Sequence, residues 1–331
     1  MGTEHCSTSK ENIFALTHNA LSVELLEDGY YCALRFSEEQ EMGYNSHPLY
    51  RAMAGTSASV CLRFHTRTDV TVHLKRYSQS LLPKKSEQVI DFASLYPRQL
   101  DLSETIDLLY KGRDMIHLPL QSDQVSIEKG STVSLYLPMH HRVGFCIEGD
   151  AQPIEKKEKT LLCIGDSIVQ GVGVHHPSLA LCERLSSLKG VQVINQGLAG
   201  AMVNSKLIQK LDIPIHCMLV ALGTNDWSIR ENLAELRGEM FALLGRVRKF
   251  YPDIPVTLLT PLWRADIQHT QKMGSFADMQ KALQHATYCF SKVRVANGLS
   301  LSLRDAYDDG FIHPDERGIR FLAKGLASQL P

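Results

Sequence analysis

The sequence predicts a chain in two parts: a β-sandwich of jelly-roll type, followed by an α/β domain built on a parallel sheet. Three observations support this prediction. Strand-length runs fill the first half, a charged stretch poor in apolar residues follows, and short apolar runs then alternate with helical segments. The length of 331 residues also suggests two domains, at about 150 residues per domain.

The first half has the pattern of half-buried strands. From about residue 21 to residue 148, apolar residues recur at short spacing, and several runs alternate between apolar and polar residues. The clearest runs are residues 30–36, 58–64, 70–74 and 132–137. β-branched and aromatic residues are frequent in them, and no convincing amphipathic helix separates them. We therefore expect an all-β sandwich (jelly-roll) domain at residues 1–150.

A short segment separates the two parts. Residues 152–159 read Gln-Pro-Ile-Glu-Lys-Lys-Glu-Lys, which is charged and contains a single aliphatic residue. Such a stretch between two periodic regions is typical of a loop. We expect a linker at residues 151–158 and a second domain at residues 159–331.

The second half alternates strands with helices. Five short apolar runs predict strands at residues 161–164, 191–194, 215–222, 255–259 and 293–295. Between them, a segment places Leu179, Leu181, Leu185 and Leu188 on one helical face, and residues 231–250 and 276–291 also have helical periodicity. Continuous apolar strands that alternate with helices predict a parallel sheet buried on both faces.

Composition and charge exclude several classes of protein. Lys and Arg number 35 against 36 Asp and Glu, so there is no basic excess to neutralise a nucleic-acid backbone. No run of about 18 apolar residues predicts a membrane span, and the first twenty residues lack an apolar run of signal-peptide length. The eight cysteines are scattered without a C-x-x-C pair, which favours buried, reduced thiols over disulfides or zinc. We expect a cytoplasmic protein that binds neither nucleic acid nor membranes.

Polar and small residues stand at the ends of the predicted parallel strands. In an open α/β sheet, ligands bind beyond the carboxyl ends of the strands. Each residue alone has a simple structural explanation, since serine caps helices and glycine or asparagine serves turns. Their occurrence together at successive strand ends predicts an active site. The segments are Gly165-Asp166-Ser167, Asn195-Gln196-Gly197, Gly223-Thr224-Asn225-Asp226 and, near the C-terminus, Asp308-Asp309-Gly310-Phe311-Ile312-His313-Pro314.

These segments resemble the SGNH, or GDSL-type, hydrolase superfamily. The resemblance covers about residues 159–331 and lies in Gly165-Asp166-Ser167-Ile168, Gly197, Gly223-x-Asn225-Asp226 and His313-Pro314. It implies a flavodoxin-like three-layer α/β/α fold, in agreement with the strand and helix pattern. More loosely, the first half resembles the jelly-roll domain that precedes some esterases and acyltransferases, among them carbohydrate esterases of family 2.

The resemblance implies acyl transfer through a serine, and the chemistry assigns the roles. Ser167 would attack an ester carbonyl, and His313 would accept the hydroxyl proton and later return it to the leaving alcohol. The N–H groups of Ser167 and Gly197 and the side-chain amide of Asn225 would form the oxyanion hole.

One departure from the superfamily pattern concerns the orienting carboxylate. The superfamily usually has an aspartate three residues before the histidine, and here that position is Gly310. Asp309 lies four residues before His313, and Asp308 is an alternative. A Ser–His dyad with a backbone carbonyl on the imidazole is a third possibility. We favour Asp309.

Other conspicuous residues receive more modest assignments. Trp263 and Arg264 follow the fourth strand and are expected to line a substrate pocket, while Asp166 and Asp226 are expected to brace the site loops. The paired histidines at 140–141 and 175–176 lack a carboxylate or thiol at ligand spacing in the sequence, so we expect no metal. Gly171-x-Gly173 lacks the full dinucleotide-binding pattern, so we expect no nicotinamide cofactor.

The sequence thus predicts a cofactor-independent serine esterase that cleaves small acyl esters, with acetylated carbohydrate as the leading substrate class. An acyltransferase that resolves the same acyl-enzyme with an alcohol is one alternative. An inactive carbohydrate-binding protein is the other.

Overall fold

The structure is a computed structural model that describes residues 9–43, 48–77 and 103–331. Its first half is a sandwich of two antiparallel sheets. The strands of the first sheet are β1 (Thr17–His18), β4 (Cys61–Thr66), β6 (Thr105–Tyr110), β7 (Met115–Pro119), β9 (Thr132–Tyr136) and β11 (Ala151–Pro153). Those of the second are β2 (Ser22–Leu25), β3 (Tyr31–Leu34), β5 (Val70–Tyr77), β8 (Gln124–Ile127) and β10 (Arg142–Glu148).

The first sheet has the order β1-β4-β9-β6-β7, and the second has the order β2-β3-β10-β5-β8. Alternating side chains of both sheets meet in one core, in which Leu62, Phe64, Leu135 and Phe145 are all fully buried. This alternation is the pattern that predicted the strands, and the expected sandwich is confirmed.

Three short helices also lie in the first half, and the sequence reasoning did not predict them. They are α1 (Lys10–Leu16), α2 (Glu38–Gly43) and α3 (Pro48–Ala54). Each spans only six or seven residues, which is too short for an apolar periodicity to stand out. The N-terminus of α1 is capped by Ser9, whose hydroxyl accepts the N–H of Asn12 at 3.3 Å.

The expected linker begins later than the sequence suggested. Residues 151–153 form β11, which pairs antiparallel with Phe64–Thr66 at the edge of β4 that also carries β1. The strand is short and its side chains are half-buried or exposed, so the sequence carries little apolar signal there. Residues 154–159 form the irregular connection to the second half.

The second half is built on a five-stranded parallel sheet with the order β13-β12-β14-β15-β18. Its strands are β12 (Thr160–Gly165), β13 (Gln192–Gly197), β14 (Cys217–Ala221), β15 (Val256–Leu259) and β18 (Val293–Ala296). A small hairpin, β16 (Thr270–Gln271) and β17 (Gly274–Ser275), lies outside the sheet. The helices are α4 (Ser167–Gln170), α5 (Leu181–Lys189), α6 (Thr224–Ile229), α7 (Leu233–Phe250), α8 (Phe276–Thr287) and α9 (Glu316–Ala327).

Helices cover both faces of this sheet. Leu162 and Ile164 of β12 belong to the core that includes the buried face of α7. Leu161 and Cys163, which point the other way, belong to the core shared with α5 and α9. The strand order 2-1-3-4-5 and the two helical layers confirm the predicted flavodoxin-like α/β/α architecture.

In the described ranges, no helix combines the length and the apolar composition needed to cross a bilayer. The seven cysteines in these ranges are free thiols.

Candidate active site

Ser167 lies where the strand order of the parallel sheet reverses. β12 pairs with β13 on one side and β14 on the other, so the chain leaves β12 at the switch point of the sheet. Gly165 ends the strand in a tight turn, where a Cβ would lie 2.2 Å from a methyl of Val169. Asp166 then caps α4 by accepting the N–H of Ile168 at 3.0 Å. This turn makes Ser167 the first residue of α4.

Ser167, His313 and Asp309 form a continuous hydrogen-bonded chain. The Oγ of Ser167 lies 2.9 Å from Nε2 of His313. On the other side of the ring, Nδ1 lies 2.7 Å from Oδ2 of Asp309. An acceptor at Nδ1 places the ring proton there, which leaves the Nε2 lone pair directed at the serine hydroxyl. Both the serine and the histidine are 0% exposed, so the pair is shielded from bulk water.

The loop before His313 winds around the Asp309 carboxylate. Oδ1 of Asp309 accepts the backbone N–H groups of Phe311, Ile312 and His313 at 2.8–3.1 Å. Burial raises the pKa of this carboxyl group, but the hydrogen bonds from His313 and from the backbone outweigh burial and lower the pKa to about 2. Asp309 is therefore ionised at neutral pH and can stabilise an imidazolium.

The two other groups that the sequence offered for orienting His313 do not have that role in the structure. Asp308 points away from the catalytic histidine, and its Oδ1 lies 3.0 Å from Nε2 of His175. Nδ1 of His313 contacts a carboxylate, so no backbone carbonyl is needed to orient the ring. The one-residue shift from the usual spacing is absorbed by the three N–H contacts to Asp309.

Asn225 is placed at the expected strand end, on the second residue of α6. Its Nδ2 donates to the carbonyl of Ala201 at 2.9 Å, which is one of the two N–H bonds that a primary amide can make. The side chain is partly exposed. The second N–H therefore remains available to a ligand.

Gly197 does not fit its predicted role as an oxyanion donor. Its N–H donates to Oδ1 of Asn195 at 2.8 Å. Its Cα packs on the backbone of α4, where a Cβ would lie 2.3 Å from the nitrogen of Gln170. Glycine is required at this position for close packing, and its donor is already used within the protein.

Gly200, three residues later, offers a donor that the sequence reasoning missed. The N–H of Ala201 closes a turn on the carbonyl of Leu198 at 2.9 Å, and Gly200 sits inside it with φ of +79°. In the part of the chain that the structure describes, the Gly200 N–H has no acceptor. The carbonyl of the next residue contacts Asn225, so this turn adjoins the predicted oxyanion amide. The second glycine of the Gly197-x-x-Gly200 run was the available signal.

Asp166 and Asp226 brace the loops, as the sequence suggested. The Asp226 carboxylate accepts the N–H of Val203 at 3.0 Å and the Nε–H of Arg230 at 2.6 Å. It thereby ties the end of the 198–203 segment to α6. Burial raises the pKa of the Asp166 carboxyl group to about 7.

Trp263 and Arg264 follow β15, at the predicted edge of the sheet. Trp263 is partly exposed, and its ring packs edge-on against Tyr307 at a centroid distance of 5.0 Å. Arg264 does not fit the predicted role in substrate binding, because it is only 4% exposed and its guanidinium is bound to Asp266 and to the carbonyl of Thr224. The position of Arg264 in the sequence predicted that it lies at the edge of the site, but it did not reveal the direction of its side chain.

The N-terminal domain contributes residues that surround this site. Arg35 is fully buried and donates to the carbonyl of Asn195 at 2.5 Å, at the end of β13. The Tyr50 hydroxyl accepts the N–H of Met202 at 3.1 Å, next to the Gly200 turn. Sequence reasoning could not assign these residues, because they approach the site from another domain.

The paired histidines contact carboxylates that are distant in sequence. Nδ1 of His141 lies 2.6 Å from Glu104, and Nδ1 of His176 lies 2.6 Å from Glu316. Across the described ranges, no group of three or more His, Cys, Asp or Glu side chains is arranged to hold a metal ion.

Part of the chain matches a known protein family. Residues 163–321 match the GDSL-like Lipase/Acylhydrolase family. A comparison with curated protein sequences found no match.

Three solved structures share the fold of the whole chain. A salicylyl-acyltransferase from a tetracycline biosynthetic pathway has a TM-score of 0.73 at 16% identity, covering 94% of this chain and 92% of that one. A GDSL-like lipase from Bacteroides ovatus has a TM-score of 0.69 at 15% identity, covering 98% of both chains. A family two carbohydrate esterase from Clostridium thermocellum, in complex with cellohexaose, has a TM-score of 0.59 at 13% identity, covering 94% of this chain and 97% of that one. Residues 163–321 therefore form a GDSL-like lipase/acylhydrolase domain, the catalytic domain of an ester hydrolase.

Proposed function

We propose that this protein is a serine esterase whose nucleophile is Ser167, with His313 as the general base and Asp309 as the carboxylate that orients His313. The observation that carries the proposal is the hydrogen-bonded chain through the imidazole, 2.9 Å on the serine side and 2.7 Å on the carboxylate side. Distances of this size allow proton transfer without rearrangement.

The reaction proceeds in two acyl-transfer steps. As Ser167 Oγ attacks the ester carbonyl, Nε2 of His313 accepts its proton, and the imidazolium is stabilised by Asp309. The proton then passes to the oxygen of the leaving alcohol, which leaves an acyl-enzyme on the serine. Water attacks this intermediate with the same base, and the acid is released as the serine regains its proton.

The developing oxyanion is held by three donors: the N–H of Ser167, the second N–H of the Asn225 amide and the N–H of Gly200. Gly200 replaces Gly197 because the latter's N–H is committed to Asn195. Each such donor contributes about 10²-fold or more to the rate.

The substrate class proposed is a small acyl ester, with acetylated carbohydrate first. The fold shared with a carbohydrate esterase supports this choice. We expect the reaction to occur in the cytoplasm, since the cysteine usage suggests a reducing compartment.

Transfer to an alcohol is the second candidate function. The complete burial of Ser167 and His313 favours it, because a site that excludes water protects an acyl-enzyme until an acceptor alcohol arrives. The fold shared with a salicylyl-acyltransferase supports this second candidate.

The test compares hydrolysis of p-nitrophenyl acetate, butyrate and octanoate by the wild type, Ser167→Ala and Ser186→Ala. Ser186 is a buried serine whose hydroxyl is bound to the carbonyl of Val191, so it controls for loss of a buried hydroxyl. We expect turnover by the wild type and the control but not by Ser167→Ala. Release of p-nitrophenol that rises with added alcohol, together with a new ester product, would identify a transferase. Equal activity in Ser167→Ala would contradict both, and would favour a carbohydrate-binding role.

A further inference from the structure

The side chain of Arg264 lies between the two parts of the active site. Its Nε and Nη2 atoms donate to the two oxygens of Asp266 at 2.6 and 3.0 Å, and its Nη1 donates to the carbonyl of Thr224 at 2.9 Å. The planar guanidinium lies 4.9 Å from the ring centre of Trp227 and 5.3 Å from that of Phe311. Four neighbours from three chain segments thus hold one side chain.

The first contact acts on the oxyanion helix. The Thr224 carbonyl and the nitrogen of Asn225 belong to the same rigid peptide unit. Holding that oxygen therefore fixes the orientation of the backbone that carries the Asn225 side chain. Trp227, on the same helix, is fully buried and its ring centre lies 4.9 Å from the guanidinium, so a rotation of α6 would disturb both contacts.

The second contact acts on the histidine loop. The Phe311 ring packs on the guanidinium, and the Phe311 carbonyl accepts the N–H of Ala265, the next residue after Arg264, at 2.9 Å. The Phe311 N–H in turn donates to Oδ1 of Asp309. The segment at 264–265 is therefore connected to the orienting carboxylate through a single residue.

We propose that Arg264 is a positioning residue that holds the Asn225 amide and the Asp309–His313 loop at a fixed separation. It touches neither substrate nor the reacting atoms. The inference rests on the proposed function and adds to it a residue that links the oxyanion donor to the general base. A catalytic group displaced by 1 Å can lose about 10²-fold in rate, so a residue that joins both elements has a large effect on turnover.

An apolar side chain could fill this space without burying a charge that needs a partner. Arginine suits these contacts, because its planar guanidinium binds a carboxylate through Nε and Nη2, a carbonyl through Nη1, and packs near two aromatic rings. Lysine carries the same charge but lacks the plane and the fork. Arg264→Lys should therefore behave as a weakened variant and not as a replacement.

The test uses Arg264→Met and Arg264→Lys, with Arg248→Met as the matched control. Arg248 also donates to backbone carbonyls, those of Tyr251, Ile254 and Ser291, but it lies on α7 away from the site. For p-nitrophenyl acetate, we expect Arg264→Met to lower kcat by about 30- to 100-fold with KM within threefold, since an oriented group is lost but no substrate contact. The kcat of Arg264→Lys should lie between those of the wild type and Arg264→Met. The kcat of Arg248→Met should stay within about twofold of the wild-type value.

A double-mutant cycle tests the route through Asn225. If Arg264 acts in part by orienting that amide, Arg264→Met should lower kcat by a clearly smaller factor in an Asn225→Ala background than in the wild type, and the remainder reflects the histidine loop. Full additivity of the two losses would overturn this route. A rise in KM with unchanged kcat would also overturn the proposal, because it would place Arg264 in substrate binding.

A second readout does not depend on turnover. The Nδ1 proton of His313, held by Asp309, should give a ¹H NMR resonance far downfield of the amide region, and Asp309→Asn should remove it. We expect Arg264→Met to broaden or shift this resonance and Arg248→Met to leave it in place. An unchanged resonance in folded Arg264→Met would overturn the proposal. If the wild type hydrolyses no ester, the proposed function fails, while the resonance still decides whether Arg264 positions the loop. If Arg264→Met does not fold, Arg264→Lys and Asp266→Asn are used for the same comparison.

Discussion

Asp309→Asn tests the least expected feature of the site, the carboxylate four residues before the histidine. Asparagine keeps the shape of the side chain, and its carbonyl oxygen can still accept the three backbone N–H groups that bind Oδ1. Its NH₂ group, however, would face Nδ1 of His313 in place of an acceptor 2.7 Å away. The imidazole would then carry its proton on Nε2 and could not accept one from Ser167.

The expected loss follows from that change of tautomer. In Ser-His-Asp triads the same substitution lowers kcat by about 10⁴-fold, or about 5.5 kcal/mol in activation free energy. The stability effect is smaller. The Asp309 pKa is lowered to about 2 from 3.8, so ionised Asp309 stabilises the fold by about 2 kcal/mol above pH 4, and this contribution is lost as the pH falls toward 2. Asp309→Asn should thus remain folded at neutral pH.

The assay is steady-state hydrolysis of p-nitrophenyl acetate at pH 7.5. Ser167→Ala gives the background rate, and urea unfolding measures the stability of each variant. Asp308→Asn is the matched control, because Asp308 is the neighbouring residue and contacts His175 instead of the catalytic histidine. We expect the control to keep its kcat within about threefold. Asp309→Asn retaining a tenth of the wild-type kcat, or losing no more than Asp308→Asn, would refute the assignment.

Three further predictions concern buried groups around the site. Because burial raises the pKa of Asp166 to about 7, the folded state holds a proton that the unfolded state has lost between pH 4 and 7, so stability falls as the pH rises through this range. The stability of Asp166→Asn relative to the wild type should therefore increase by about 3 kcal/mol between pH 5 and pH 8 in urea unfolding, and a constant difference would contradict the pKa assignment. Arg35→Met would leave four backbone carbonyls without their buried donor and should destabilise the protein by more than about 3 kcal/mol; a loss below about 1 kcal/mol would count against a structural role for this interdomain contact. Gly197→Ala would place a Cβ 2.3 Å from the nitrogen of Gln170 and should lower the stability by about 3 kcal/mol. Gly238→Ala, which has open space around it on α7, should raise the stability by about 0.5–1 kcal/mol. Similar melting temperatures for the two variants would be inconsistent with this packing.

The sequence predicted the architecture well where side chains follow a local period. The alternation in residues 132–137 and the apolar run at 161–164 reflect which face of a strand is buried, and the structure has strands at both places. Helices α1 to α3 were missed because a helix of six or seven residues contains barely two turns, too few for a period to be visible.

The site was predicted in part for a similar reason. Ser167 and Asn225 stand after parallel strands, whose carboxyl ends meet at one edge of the sheet, whereas His313 was found through the His-Pro segment that resembles the superfamily. Position along the chain did not reveal where each polar group points. Gly197 ends β13 and Gly200 follows it, yet the N–H of the first is bound to Asn195 and that of the second has no acceptor in the described part of the chain.

By itself, the sequence determined the two-part organisation, the α/β/α architecture of the second half and the convergence of a serine and a histidine at its sheet edge. The first two depend on local periodicity and on the order of strands along the chain, and the third also on the motifs shared with a known superfamily. The tertiary structure decided which aspartate meets His313, that Arg264 turns inward to Thr224 and Asp266, and that Arg35 reaches β13 from another domain. Such contacts depend on the direction of individual hydrogen bonds between segments distant in sequence, and these directions exist only once the chain has folded.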